Sequence, residues 1–253
     1  MDLIKNTFKA RLRAGERQIG FWNTLPDSGL VELLSGCGYD WLLIDSEHSP
    51  LDPRAVLPLL QASDSYPTQA VVRPGWNDKV EIKRLLDIGA QTLLVPYVQN
   101  AEEAQAAVAA VRYPPHGVRG VSGGSRGSRY GAIPDYVQRA EQEICLLVQV
   151  ETVEAAARIE EIAAVDGVDG IFIGPADLAA SMGYPGDPGH PEVRKASADA
   201  VRRIVAAGKP AGFLSADQGY VREMADAGAT FLAVGVDSAL MRHHAINLRK
   251  SWD

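Results

Sequence analysis

Eight short apolar runs recur along this chain, most of them followed by a stretch with helical spacing, and that alternation leaves few folds open. The runs are Gln18–Asn23, Trp41–Ser46, Gln69–Arg73, Thr92–Tyr97, Ile144–Gln149, Val168–Gly174, Pro210–Leu214 and Phe231–Val236. Most are rich in Val, Ile, Leu or Phe without long polar alternation, as parallel strands covered on both faces are. Between them, Lys79–Ile88 sets Val80, Ile82, Leu85, Leu86 and Ile88 largely along one stripe. Glu102–Arg112, Val153–Ala164, Pro191–Ala207 and Gln218–Ala227 read as helices as well. Gly89, Gly208 and Gly228 stand where helices stop before a strand begins. Eight βα units in 253 residues predict a (β/α)8 TIM barrel, with residues 1–253 forming a single domain. A doubly wound open sheet is the alternative, disfavoured because no GxGxxG follows a strand.

Charge and composition narrow the partners. The net charge of −7 and the pI near 5.3 argue against nucleic acid. Met1 to Arg17 is polar, without the apolar core of a signal peptide, and no run approaches the ~18 apolar residues of a membrane span. The expectation is a cytoplasmic enzyme acting on small molecules. Cys37 and Cys145 lie far apart in apolar surroundings, which predicts two buried free thiols in a reducing compartment.

A barrel of this kind carries its chemistry at the C-terminal ends of its strands. The expected ends gather Trp22 and Asn23, Asp45 to His48, Arg73, Gln149 to Glu151, Gly174 to Asp177, Phe213 to Ser215, and Gly235 to Asp237. Glu151 and Asp177 end two neighbouring strands, and two carboxylates there can hold one hard cation such as Mg2+ or Mn2+. The alternative is that Glu151 caps the next helix and Asp177 sits in the first turn of a helix. Gln149 is two residues before Glu151 and faces the same way. Pro175 suits a helix's first position, which would turn the free amides near Ala176 and Asp177 toward a substrate carboxylate. Asp45 and His48 are three apart: the acid can orient the imidazole as a general base, or the histidine is structural. Arg73 either meets an anion or pairs with Asp45 or Glu47. None of the seven lysines falls at a C-terminal strand end, so a Schiff-base route is disfavoured and metal activation remains. The Gly-, Ser- and Arg-rich segment His116–Ala132 is too long for an ordinary connection.

At these residues the chain resembles the HpcH/HpaI aldolase family, the metal-dependent class II pyruvate aldolases. The matching segments are WLLIDSEH from Trp41, VRP from Val72, YPP from Tyr113, GVRG from Gly117, LVQVET from Leu147 and IGPADL from Ile173. The resemblance implies a homo-hexamer of paired trimers with the C-terminal helix exchanged between subunits. It implies Glu151 and Asp177 as ligands of Mg2+, Mn2+ or Co2+, with Gln149, Gly174, Pro175, Ala176 and Asp177 about a bound 2-oxo acid. Arg73 would hold the keto or enolate oxygen, and His48 with Asp45 would serve the acid–base steps. Trp22, Phe213 and Leu214 would line the pocket. The implied reaction is that of an aldehyde-lyase, reversibly joining pyruvate or hydroxypyruvate, as its enolate, to an aldehyde to give a 4-hydroxy-2-oxo acid. A CoA-thioester lyase of the malyl-CoA or citramalyl-CoA type is the alternative, and a barrel that merely binds keto acids is a third. After GVRG the run SGGSRGSRY from Ser122 departs from the family's Ala- and Arg-rich pattern. The resemblance puts that loop near the aldehyde side.

Overall fold

The computed structural model describes residues Met1–Asp253. Eight strands close in chain order: β1 Gln18–Asn23, β2 Trp41–Asp45, β3 Gln69–Arg73, β4 Thr92–Val95, β5 Cys145–Val150, β6 Gly170–Ile173, β7 Ala211–Leu214 and β8 Phe231–Val236. Every neighbouring pair is parallel, β1 with β8 included. The fold is therefore the expected (β/α)8 barrel, and the open sheet is excluded. Strand ends move by a residue or two; β4 stops early because Tyr97 turns into the left-handed region at φ 56°.

The helices are α1 Thr7–Arg13, α2 Ser28–Ser35, α3 Pro53–Ser63, α4 Lys79–Asp87, α5 Ala101–Val111, α6 Tyr136–Arg139, α7 Val153–Ala156, α8 Ile159–Ala163, α9 Pro175–Ser181, α10 Pro191–Ala206, α11 Gln218–Asp226 and α12 Asp237–Lys250. Many start on a short polar cap. Asp27, Asp52, Asp78, Asn100, Thr152 and Asp217 each accept an amide hydrogen of the first turn. The single helix expected over Val153–Ala164 is two, because Arg158 leaves the helical region at φ −112° and ψ 19°.

Period-two alternation sorts the apolar side chains into two cores. One cluster of 12 buried residues fills the barrel, among them Trp22, Trp41, Leu43, Val71, Leu147, Phe172 and Phe231. Phe8 and Leu12 of α1 belong to it, so this helix plugs the N-terminal end. A second cluster of 48 buried residues lies between the strands and the outer helices. Cys145 points into the barrel and is buried. Cys37, expected buried, is exposed: it follows α2, and its Sγ donates to the Leu33 carbonyl.

Two outlying pieces matter later. Residues 116–132 connect α5 to β5 and so lie at the N-terminal end of the barrel. There Arg126 donates to the Ile88 carbonyl at 2.8 Å and pairs with Asp64 at 2.5 Å. Within its own chain the loop thus lies opposite the strand ends that gather Asp45, Arg73 and Glu151. In α12 only Asp237 is buried, while Leu240, Met241 and Leu248, with Trp252 beyond it, are exposed. No helix is long and apolar enough to cross a membrane.

Candidate active site

The register of β2 on β3 sets Asp45 beside Arg73, and alternation turns both side chains into the barrel mouth, where they are buried. Arg73 grips the Asp45 carboxylate with two hydrogen bonds, Nε at 2.9 Å and Nη2 at 2.6 Å. The Trp22 indole donates to the same carboxylate at 3.1 Å, and the Glu47 amide at 3.0 Å. Burial pushes the Asp45 carboxyl up, but these donors outweigh it and hold the group below its ordinary range. The guanidinium also lies 4.9 Å over the Trp22 ring. Its third nitrogen, Nη1, is 2.7 Å from Glu47 Oε2, a close charge contact at an angle too poor for a hydrogen bond.

The expected Asp45–His48 side-chain pair is not formed. Asp45 is fully engaged by Arg73, Trp22 and the turn amides, and it meets His48 only at the backbone N–H, 3.4 Å away. The imidazole is 65% exposed, and its nearest acid is Glu47, 3.8 Å away. Glu47 is held above the ordinary carboxylate range by burial, opposed by Arg73 and His48 and reinforced by Asp45 and Asp177. Of the two roles open to Arg73, the structure displays the ion pair, and with both acids rather than one.

Opposite them, Gln149 and Glu151 project from the end of β5 on the same side, as their spacing requires. The Gln149 amide donates to Glu151 Oε2, and the Tyr97 amide donates to Oε1 at 2.9 Å. Both side chains are buried. Burial, and then the charges of Asp177 and Glu47, push the Glu151 carboxyl up to about 7 despite those two donors. Glu151 does not cap α7; Thr152 does. Asp177 stands exposed in the first turn of α9, whose N-cap Gly174 offers no side chain to the free amides. A Cβ on Gly174 would run into the side chains of Glu151 and Gln149.

The site residues fit a divalent cation. No three His, Cys, Asp or Glu side chains meet closely enough to hold an ion unaided. Mg2+ and its relatives ask for less: one or two carboxylates, with substrate and water oxygens completing the octahedron. Glu151 and Asp177 are two carboxylates near enough for the charge of one to act on the other. Gln149 Oε1 is buried with no partner, an acceptor aimed at nothing the protein provides. Burial, and then the negative charge of Asp177 and Glu47, raise Glu151, and a doubly positive charge would offset both.

The remaining residues divide. Trp22 lies at the mouth beneath Arg73. Leu214 packs against the barrel interior, but Phe213 is turned the other way, fully buried in the outer core with its ring 4.7 Å from Tyr220. Adjacent strand residues cannot both face the mouth, which corrects the expectation for Phe213. Asp237, at the end of β8, is spent on structure: Thr24 and Leu25 amides and the Thr24 hydroxyl donate to it. The amide of Tyr97 was not legible as part of the site, since Tyr97 is neither Gly nor Asn and nothing in the sequence marks its left-handed turn.

The HpcH/HpaI aldolase/citrate lyase family model matches residues 18–244. A hydroxypyruvate/pyruvate aldolase of Sagittula stellata is 60% identical over 252 residues, covering 100% of both chains. A 4-hydroxy-2-oxo-heptane-1,7-dioate aldolase of Salmonella dublin is 54% identical, covering 96% of this chain and 92% of its own. The crystal structure of an HpcH/HpaI aldolase/citrate lyase family protein from Burkholderia cenocepacia superposes with a TM-score of 0.93 at 38% identity, covering 98% of this chain and 100% of that one.

Proposed function

The chain belongs to the HpcH/HpaI aldolase/citrate lyase family, and from that premise we propose that it is a divalent-metal-dependent aldolase. It reversibly joins pyruvate or hydroxypyruvate to an aldehyde, giving a 4-hydroxy-2-oxo acid. The observation that carries this reading is the Glu151–Asp177 pair: a buried acid held near neutrality by burial and neighbouring negative charge, at the mouth of a barrel. The relatives named as aldolases match this chain over nearly its whole length, which leaves the CoA-thioester alternative less supported.

Glu151 and Asp177 would hold the cation, which when bound supplies positive charge at the keto oxygen of the substrate. The protein's own residues do the rest. Gly174 lets the Glu151 and Gln149 side chains pack against the backbone that leads into α9, and past Pro175 the amides of Ala176 and Asp177 receive the carboxylate of the three-carbon acid. Gln149 turns its free carbonyl oxygen toward the same space and can accept a hydrogen bond from a hydroxyl or a water. Arg73, locked in place by Asp45 and Glu47, keeps its guanidinium at the position where negative charge grows as C3 loses a proton. Trp22 forms the floor beneath it. The exposed His48 imidazole, or a water beside it, takes the C3 proton and later returns one to the new alkoxide, making it the hydroxyl. Asp45 acts through Arg73 and the turn that carries His48, rather than on the imidazole itself. Leu214 packs the apolar side of the pocket.

We further propose that residues 1–253 act as one catalytic unit in the cytoplasm, assembled as a homo-hexamer. The apolar residues left exposed on α12 support exchange of that helix with a neighbour. The only buried lysine, Lys9, lies at the plugged end of the barrel, which supports a route without a Schiff base.

The deciding experiment follows deuterium entering C3 of pyruvate by NMR without any aldehyde. Exchange should require Mg2+, Mn2+ or Co2+ and stop with chelator. Exchange at an undiminished rate in metal-free protein, or a pyruvate adduct trapped by borohydride, would overturn the proposal.

A further inference from the structure

Two exposed aromatic rings stack on the loops after β3 and β4, the second of which meets Glu151 through a backbone amide. Trp76, in the loop after β3, and Tyr97, in the loop after β4, stack with ring centroids 5.5 Å apart and planes 29° from parallel. They are 54% and 38% exposed, an unusual surface outlay for two large apolar side chains. Tyr97 is also one of four non-glycine residues with positive φ, a conformation that costs an L residue energy because its Cβ crowds the backbone. Strain of this kind persists only where the surroundings over-determine it.

The turn has a use. It is the Tyr97 amide that donates to Glu151 Oε1 at 2.9 Å. The next residues lace the same loop to β5: the Val98 amide donates to the Gln149 carbonyl at 3.0 Å, and the Thr152 hydroxyl donates to Gln99 Oε1 at 2.6 Å. Gln99 in turn donates to the Tyr97 carbonyl at 3.3 Å. On the Trp76 side, Asn77 ties the loop to the Glu103 carbonyl of α5 at 2.9 Å. The stack thus holds the Tyr97 ring from outside its own loop, anchored by a second loop that is itself tied down.

We propose that the Trp76–Tyr97 stack is a positioning clamp for Glu151: it holds Tyr97 in the left-handed turn that aims its amide at Oε1, and so orients the carboxylate toward the cation. The inference rests on the reading of Glu151 as a metal ligand. With Oε1 held by an amide and Oε2 by Gln149, the carboxylate has one orientation, and its remaining lone pairs face one way. Neither ring needs to touch substrate, and each acts only through the backbone. Orientation by such outer partners is a familiar source of metal affinity.

The test is Mn2+ binding by metal-free protein, read as free Mn2+ by electron paramagnetic resonance, without any turnover. Tyr97→Ala should weaken binding about tenfold, and Trp76→Ala several-fold, since the strain then lacks the stacking that offsets it. Tyr97→Phe keeps the ring and should stay within about twofold of wild type. Tyr97→Gly is the sharpest variant, because glycine sits left-handed without help. It should recover most of the affinity lost in Tyr97→Ala, and adding Trp76→Ala to it should cost nothing further. Wild-type affinity in Tyr97→Ala would sink the clamp, and so would a Tyr97→Gly protein as weak as Tyr97→Ala. Glu151→Ala separates the two readings. If that variant binds Mn2+ like wild type, the ligand assignment fails and the clamp with it; if it loses binding while Tyr97→Ala does not, only the clamp fails.

Discussion

At the N-terminal end of the barrel, Lys9 is buried, yet its ammonium donates to the carbonyls of Glu141 and Ile144 and lies 3.7 Å from Asp169. Asn6 and Gln18 are buried there too, and each is bonded, Asn6 to Thr92 at 2.9 Å and Gln18 to the Phe8 carbonyl at 3.2 Å. At the C-terminal end several buried polar groups are left short. Asn23 Oδ1, Gln149 Oε1 and Glu47 Oε2 have no hydrogen-bond donor, and Glu151 is forced toward neutrality. The plugged end has unpartnered atoms too, Thr230 Oγ1, Tyr113 Oη, Ser125 Oγ and two nitrogens of Arg119, but the Arg119 charge is met by Asp87 at 2.9 Å and by the Tyr113 ring 4.4 Å away. One end pairs its buried charges within the protein, and the other leaves negative charge and acceptors facing one another at the mouth. Burying polar groups without partners costs stability, so the open end is where function displaces stability.

The largest expected contrast comes from one truncation at each end. Glu151→Ala should lower turnover at saturating pyruvate by about 10²- to 10³-fold while leaving thermal stability near wild type. Phe8→Ala should do the reverse, losing about 3–5 kcal/mol of stability in denaturant melts while the folded fraction keeps its kcat. If Phe8→Ala lowered kcat as much as Glu151→Ala, the two ends would not be separate devices.

Arg73→Lys asks whether the open end needs shape or only charge. Lysine keeps the positive charge but cannot hold Asp45 through two parallel bonds and Glu47 through a third nitrogen. The expected outcome is a fall in kcat of about 10²-fold, with less change in KM. Near-normal kcat would mean that a point charge suffices and that the Asp45 grip is incidental.

The acid at the open end should also bend the stability of the metal-free protein. Glu151 titrates near 7 when folded and near its ordinary 4.5 when unfolded. Between those values the folded state holds a proton that the unfolded state has lost. Stability therefore falls as pH rises across this window, by at most roughly 1.4 kcal/mol per unit, and is flat above it. Glu151→Gln should flatten the slope, as should saturating Mn2+. A metal-free wild type equally stable across the window would contradict the burial-driven shift.

Much of this contrast was legible before any coordinates. Strand periodicity placed Asp45, Arg73, Gln149 and Glu151 at strand ends, and the barrel rule put those ends together. What the sequence could not give was pairing among neighbours. Asp45 had two reachable partners, and strand register, not proximity in the chain, matched it with Arg73 instead of His48. The plug was invisible because α1 reads as a polar segment, with only Phe8 and Leu12 to mark its buried face. The loop after GVRG shows what topology alone fixes: one chain's connection from α5 to β5 must emerge at the N-terminal end.

The smallest effect tests the same division within one dipeptide. Phe213 and Leu214 are neighbours on β7, one facing the outer core and the other the barrel interior. Phe213→Leu keeps an apolar group against Tyr220 and should cost about 1 kcal/mol in a denaturant melt, with KM for pyruvate and for the aldehyde unchanged. Leu214→Ala, on a half-buried side chain nearer the mouth, should barely alter the melt yet raise KM for the larger of the two substrates by about tenfold. Steady-state kinetics with each variant decide the matter. A KM shift in Phe213→Leu, with none in Leu214→Ala, would put the wrong residue at the mouth and reverse the facing that alternation assigns to β7.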